Sequence, residues 1–214
     1  MVRNGETYSE LRDLPGQFLV GFCLGCAERA SGVLVTLADQ EDAAWFSHAL
    51  EVAWRAPLGE ADEDELIEIL EEFEGRTESI DADDPGSRGF SLVQSAMLTV
   101  NAIAVHLNPH PGRAEMSGQV LETILGSFDF KLGDGVAVVT RAGEDEETGR
   151  LQRLEQAAQD AFVASVRGPR GGGRGEPRPD REFLRRLRAS CVPARDEFRG
   201  ATVSVAELAG WDLE

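Results

Sequence analysis

Apolar residues at Phe18, Leu19, Phe22, Cys23, Cys26, Ala27 and Ala30 recur every three or four positions, a period that predicts an amphipathic helix over 18–30. Asp13 is placed to cap it, with Pro15 in its first turn. The stretch DQEDAAWFSHALEVAWR, 39–55, repeats the period through Trp45, Ala49, Leu50, Ala53 and Trp54, and Pro57 ends it. In EADEDELIEILEEFEG the residues Leu66, Ile67, Leu70 and Phe73 form one stripe among carboxylates, and Gly75 is a natural stop. FSLVQSAMLTVNAIAVHL is apolar on nearly every side, which predicts a helix at the centre of a bundle, ended by Pro109 and Pro111.

Further along, Met116, Val120, Leu121, Ile124, Leu125 and Phe128 predict a helix within 112–131. Leu151, Leu154, Ala158, Ala161 and Phe162 predict another within 147–166. RGPRGGGRGEPRP, 167–179, then interrupts all periodicity and reads as a flexible surface loop. Two short helices close the pattern: DREFLRRLRASC, and a last one opened by Ser204 and Glu207 at capping-box spacing, with Trp211 to anchor it. The expected fold is an all-α, single-domain multi-helix bundle over 1–214. Three β-branched runs, 32–37, 135–140 and 201–205, keep open an α+β alternative with a small peripheral sheet.

Charge changes this picture more than size does. A net charge of −18 opposes non-specific attraction to nucleic acid and to anionic membranes, and favours encounter with a basic partner. No run approaches the roughly 20 apolar residues of a membrane span, and the first residues lack a signal-peptide apolar core. With an odd three cysteines, the expected setting is the cytoplasm.

Candidate chemistry is sparse. Cys23 and Cys26 have the C-x-x-C spacing of redox sites, but they lie inside a helical period on its apolar face, where cysteine acts as a small hydrophobe. Cys191 and three histidines provide no second ligand pair at zinc-site spacing. His106 and His110 are separated from a shared helix face by prolines, and His48 is expected to make an ordinary, half-buried hydrogen bond. No phosphate-binding glycine loop or nucleophile elbow is present, so neither a cofactor nor a metal is expected.

Two charged segments remain. Glu63, Glu65, Glu68, Glu71 and Glu72 crowd one helix at a cost in like-charge repulsion, and suit electrostatic steering of a cationic partner. Arg167, Arg170, Arg174 and Arg178 resemble the arginine-glycine segments that bind single-stranded RNA, without interleaved aromatics.

The run FLVGFCLGCAERASG, through Cys26, Ala27, Glu28 and Arg29, resembles the opening helix of the YjaG-like family of uncharacterised bacterial proteins. The spacing to ALEVAWRA, to SLVQSAMLTVNAIAVHL with Ser91 and Gln94, and to LQRLEQAAQDAF is similar to that family's, over about residues 14 to 190. The arginine-glycine segment looks like an insertion, and the final segment also departs from the family. The resemblance implies a compact all-α fold and brings no established activity, and Glu28 and Arg29 are expected to form a partly buried ion pair with another helix. The leading functional expectation is a non-catalytic protein-binding module of immunity or inhibitor type. RNA binding through the arginine loop is the alternative, and an enzyme with carboxylates in a bundle cleft comes third.

Overall fold

The computed structural model describes residues 4–133, 148–167 and 179–213. Among these it contains eight α-helices and one 3-10 turn, with no strand, so the fold is an all-α multi-helix bundle. The helices are α1 (Gly5–Leu11), α2 (Gly16–Leu37), α3 (Gln40–Arg55), α4 (Glu63–Thr77), α5 (Arg88–Leu107), α6 (Pro111–Leu132), α7 (Arg150–Arg167) and α8 (Arg181–Ala209). The 3-10 turn at Ala56–Leu58 contains Pro57 and ends α3 as the sequence predicts.

α2 occupies the centre and is buried from Phe18 to Ala30 on all sides. It packs most extensively on α5 and α8, and less on α6 and α3. α1 lies on α6 and α7, while α4 lies at the periphery against α5 and α3. Large side chains such as Phe22, Phe128 and Phe198 are fully enclosed, each contributing about 1.5–3 kcal/mol of burial. Gly32 permits the closest approach of α2 and α8, because a Cβ there would stand 2.2 Å from the Arg195 carbonyl oxygen.

Local chemistry explains the ends. Asp39 accepts a hydrogen bond from the Asp42 N–H, Ser87 from that of Phe90, and Asp180 from that of Phe183, each capping its helix. Asp129 of α6 reaches across to accept from the N–H groups of Leu151 and Gln152, so α7 begins where α6 holds it. Gly210, at φ 66°, closes α8, and Trp211 then packs on Phe128 with the Lys131 ammonium over its ring.

Several expectations are corrected. The run 32–37 continues α2, because Val33, Leu34 and Leu37 extend its buried surface, and 201–205 belongs to α8 for the same reason. The run 135–140 lies outside the described residues. The two short C-terminal helices are one 29-residue helix running through Pro193; Cys191, Ala194, Phe198 and Ala201 keep one buried row across that proline. Ser204 is mid-helix, its hydroxyl donating to the Gly200 carbonyl at 3.3 Å, and does not open a helix. The N-cap of α2 is Pro15, not Asp13.

α1 was not expected at all. Two helices, α2 and α5, do have the length and composition of membrane spans, with 89% and 61% of their apolar windows buried inside the bundle. In α4, Leu66 and Phe73 are buried and Leu70 packs on the core as expected, but Ile69 completes the stripe in place of Ile67, which is 40% exposed. α4 also passes through Gly75, where a Cβ would meet nothing within 4 Å. Gly75→Ala is therefore expected to stabilise the protein by about 0.5–1 kcal/mol, read as a rise in thermal midpoint.

Candidate functional site

Adjacent positions of α2, Glu28 and Arg29, anchor two charged networks inside the bundle. The Arg29 guanidinium donates from Nε to Glu155 Oε2 at 2.6 Å and from Nη2 to Oε1 at 2.5 Å, a two-pronged ion pair with side-chain exposures of 5% and 0%. Gln159 Nε2 adds a third donor to Glu155 Oε1 at 3.0 Å. The Cys191 and Cys26 sulfurs lie 3.7 and 3.6 Å from Arg29 Nη1 and Nη2. Burial works to lower the Arg29 pKa, but the charge and hydrogen bonds of Glu155 raise it overall.

Glu28, 2% exposed, accepts from Trp54 Nε1 at 2.8 Å, from Arg188 Nε at 3.1 Å and from Arg195 Nη1 at 3.1 Å. Arg188 continues outward to both oxygens of Glu51 and lies over the Trp54 ring. The expected partly buried pairing with another helix holds for Glu28, whose partners Arg188 and Arg195 on α8 are about a third exposed, whereas Arg29 meets Glu155 of α7 in full burial.

A third buried carboxylate belongs to α6. Glu122 Oε1 accepts from the Tyr8 hydroxyl, and Oε2 accepts from Gln156 Nε2 at 2.9 Å. Gly118 makes room for this contact, since a Cβ there would come within 2.8 Å of the tyrosine ring and hydroxyl. Burial first, and then the charge of Glu155, raise the Glu122 pKa against the lowering effect of its hydrogen bonds. Burial raises that of Tyr8 as well, with Glu122 adding to it.

A raised folded-state value means that Glu122 binds its proton more tightly folded than unfolded. Its contribution to stability is fully present below the ordinary 4.5 and is lost as pH rises through the higher folded value. Glu122→Gln is expected to remove this part of the slope, so urea midpoints of the wild type should fall relative to the variant's as pH rises from 4.5. Parallel midpoint curves would refute the assignment.

The three thiols are free and buried. Burial pushes Cys23 up to about 12 and raises Cys26 and Cys191, so all favour the neutral thiol over the nucleophilic thiolate. Cys23 faces Ser117 on α6 and Cys26 faces Glu155 on α7, so the C-x-x-C pair serves two separate contacts. Among the described residues no group of three or more His, Cys, Asp or Glu is placed to hold a metal ion. His48 is exposed, not half buried, and makes no hydrogen bond among the described residues.

Of the other residues singled out in the sequence, Ser91 is buried and its hydroxyl donates to the Ser87 carbonyl at 3.2 Å. Gln94 lines a cleft of about 220 Å³ between α5 and α6, with Phe90, Met116 and Glu122. On α4, Glu65 pairs with Arg55 at 2.7 Å, and Glu72 accepts from Trp45 Nε1. Glu63, Glu68 and Glu71 are exposed and have no ion pair among the described residues. Ile67 stands between Glu63 and Glu71 at i±4 spacing, an apolar side chain in an acidic frame. Arg167 is tied to Glu10 of α1 at 2.5 Å, and Arg170, Arg174 and Arg178 lie outside the described residues.

Sequence reasoning missed Tyr8, Glu122, Glu155 and Gln159. Comparison of the chain with protein-family models, with curated proteins and with solved structures finds no match.

Proposed function

We propose that this protein is a non-catalytic binding module that docks a basic protein partner on the outer face of α4. The carrying observation is where the uncommitted carboxylates lie. Glu28 and Glu155 each accept several donors from the chain's own side chains, whereas Glu63, Glu68 and Glu71 project from α4 with no ion pair among the described residues. Unpaired carboxylates steer a cationic surface from a distance, and Ile67 at 40% exposure offers the apolar contact that steering alone lacks. An immunity or inhibitor protein acts by such an encounter, and the resemblance to the YjaG-like family is compatible with it. The net charge of −18 adds to the same field.

The test compares the wild type with a Glu63→Lys, Glu68→Lys, Glu71→Lys variant, as immobilised bait in extracts at low and moderate salt. A basic protein held at low salt, released at moderate salt and associating with the variant about tenfold more slowly supports the reading. Retention indifferent to the reversal overturns it.

A further inference from the structure

An open groove of about 260 Å³ lies where α2, α3, α5 and α8 meet. Val35, Phe46 and Leu50 give it an apolar lining, and Arg188, Arg195 and Arg199 of α8 border it together with Glu28, Glu51 and Asp196. Gly32 is why these arginines stand so near α2: the α8 backbone at Arg195 and Arg199 occupies the space a Cβ would take.

The three guanidinium groups are committed to different degrees. Arg188 uses Nε and both terminal nitrogens on Glu28 and Glu51. Arg195 places Nη1 on Glu28 and Nε on Asp196, which leaves Nη2 without a partner among the described residues. Arg199 is exposed and makes no hydrogen bond or ion pair among the described residues. Thr99 also lines the groove; it is 3% exposed, and its hydroxyl has no protein partner among the described residues.

We propose that this groove binds a small organic carboxylate with an apolar body, the carboxylate held by Arg199 and Nη2 of Arg195, and the body laid on Val35, Phe46 and Leu50. A guanidinium presents a planar fork of N–H donors that matches a carboxylate, and Glu28 fixes Arg195 before any ligand arrives. A cavity of about 150 Å³ accommodates benzene, so this larger groove has room for one ring and its carboxylate. The Thr99 hydroxyl offers one further polar contact. The chain's negative charge opposes anions at long range, but about 0.15 M salt screens that field beyond roughly 8 Å; the nearer carboxylates Glu28, Glu51 and Asp196 are each paired with Arg188 or Arg195, so Arg199 is the uncommitted charge at the groove.

The experiment titrates the full chain, labelled with nitrogen-15, with phenylacetate, benzyl alcohol and inorganic phosphate at about 0.15 M salt. Phenylacetate is expected to shift the amide signals of Ser47, Leu50, Thr99 and Arg199 in a saturable way. Benzyl alcohol and phosphate are expected to bind at least about tenfold more weakly. Arg199→Gln, which removes no hydrogen bond or ion pair among the described residues, is expected to keep the thermal midpoint and to weaken phenylacetate at least about tenfold. Arg186→Gln, on α8 but outside the groove, should leave binding unchanged.

An absence of saturable shifts overturns the proposal. So does equal binding of benzyl alcohol, which would make the groove an apolar patch, or equal binding of phosphate, which would make it a bare guanidinium site. Unchanged affinity in Arg199→Gln overturns it as well.

Discussion

Arg29→Met is expected to lower the free energy of unfolding by about 3–5 kcal/mol, measured by guanidinium denaturation. Methionine preserves most of the stem's packing but leaves Glu155, at 0% exposure, with an uncompensated charge and one remaining amide donor from Gln159. Small domains are stable by only about 5–15 kcal/mol, so this single change removes a large share of the margin. Replacing both partners, Arg29→Met with Glu155→Leu, is expected to recover most of the loss, because an apolar pair of similar volume has no charge to desolvate. A loss below about 1 kcal/mol in the single variant is the behaviour of an exposed pair and would contradict the buried geometry.

Gly32→Ala is the second large effect, expected to cost about 3 kcal/mol, the upper end for overpacking. The added methyl would meet backbone at 2.2 Å, and neither the Arg195 carbonyl nor its helix has a rotamer with which to step aside. Thermal unfolding measures it, with Gly75→Ala as the reference: the same chemical change raises the midpoint where a helix faces open space and lowers it where two helices touch. A neutral Gly32→Ala would show that α2 and α8 are not in backbone contact.

Much of the bundle was legible because the helices that carry an apolar period also carry their own punctuation. α3 and α5 begin at Asp39 and Ser87, both capping residues, and end near prolines. α1 was not legible, since only Tyr8 and Leu11 in its seven residues are apolar and buried, too few to mark a period. α8 reads locally as two short helices because Pro193 and the β-branched Thr202, Val203 and Val205 argue against a continuous one; burial of Phe198, Ala201 and Val205 overrides this.

The interior networks were half legible. Glu28 and Arg29 drew notice as a charged pair beside an apolar face, but Glu155, which receives Arg29, and Gln159, which donates to Glu155, carry no apolar signal. A signal did exist: Leu151, Glu155, Gln159, Phe162 and Val166 form one row at three-to-four-residue spacing, and its apolar ends mark the polar middle as inward. Leu154, the expected core member, is 36% exposed for the same reason. Glu122 and Tyr8 were beyond reach, since their pairing depends on α1 and on the notch at Gly118.

The position of α2 in the chain has a consequence during synthesis. Its 22 residues leave the ribosome before α8, whose last residue follows about 170 residues later, which at about 5–20 residues per second is a delay of roughly 10–30 s. For that interval a helix with the hydropathy of a membrane span is incompletely wrapped. A charge at the centre of such a helix opposes bilayer insertion by about 2.5–3.5 kcal/mol. Glu28 and Arg29 therefore weigh against insertion while the nascent chain waits for the helices that will neutralise them.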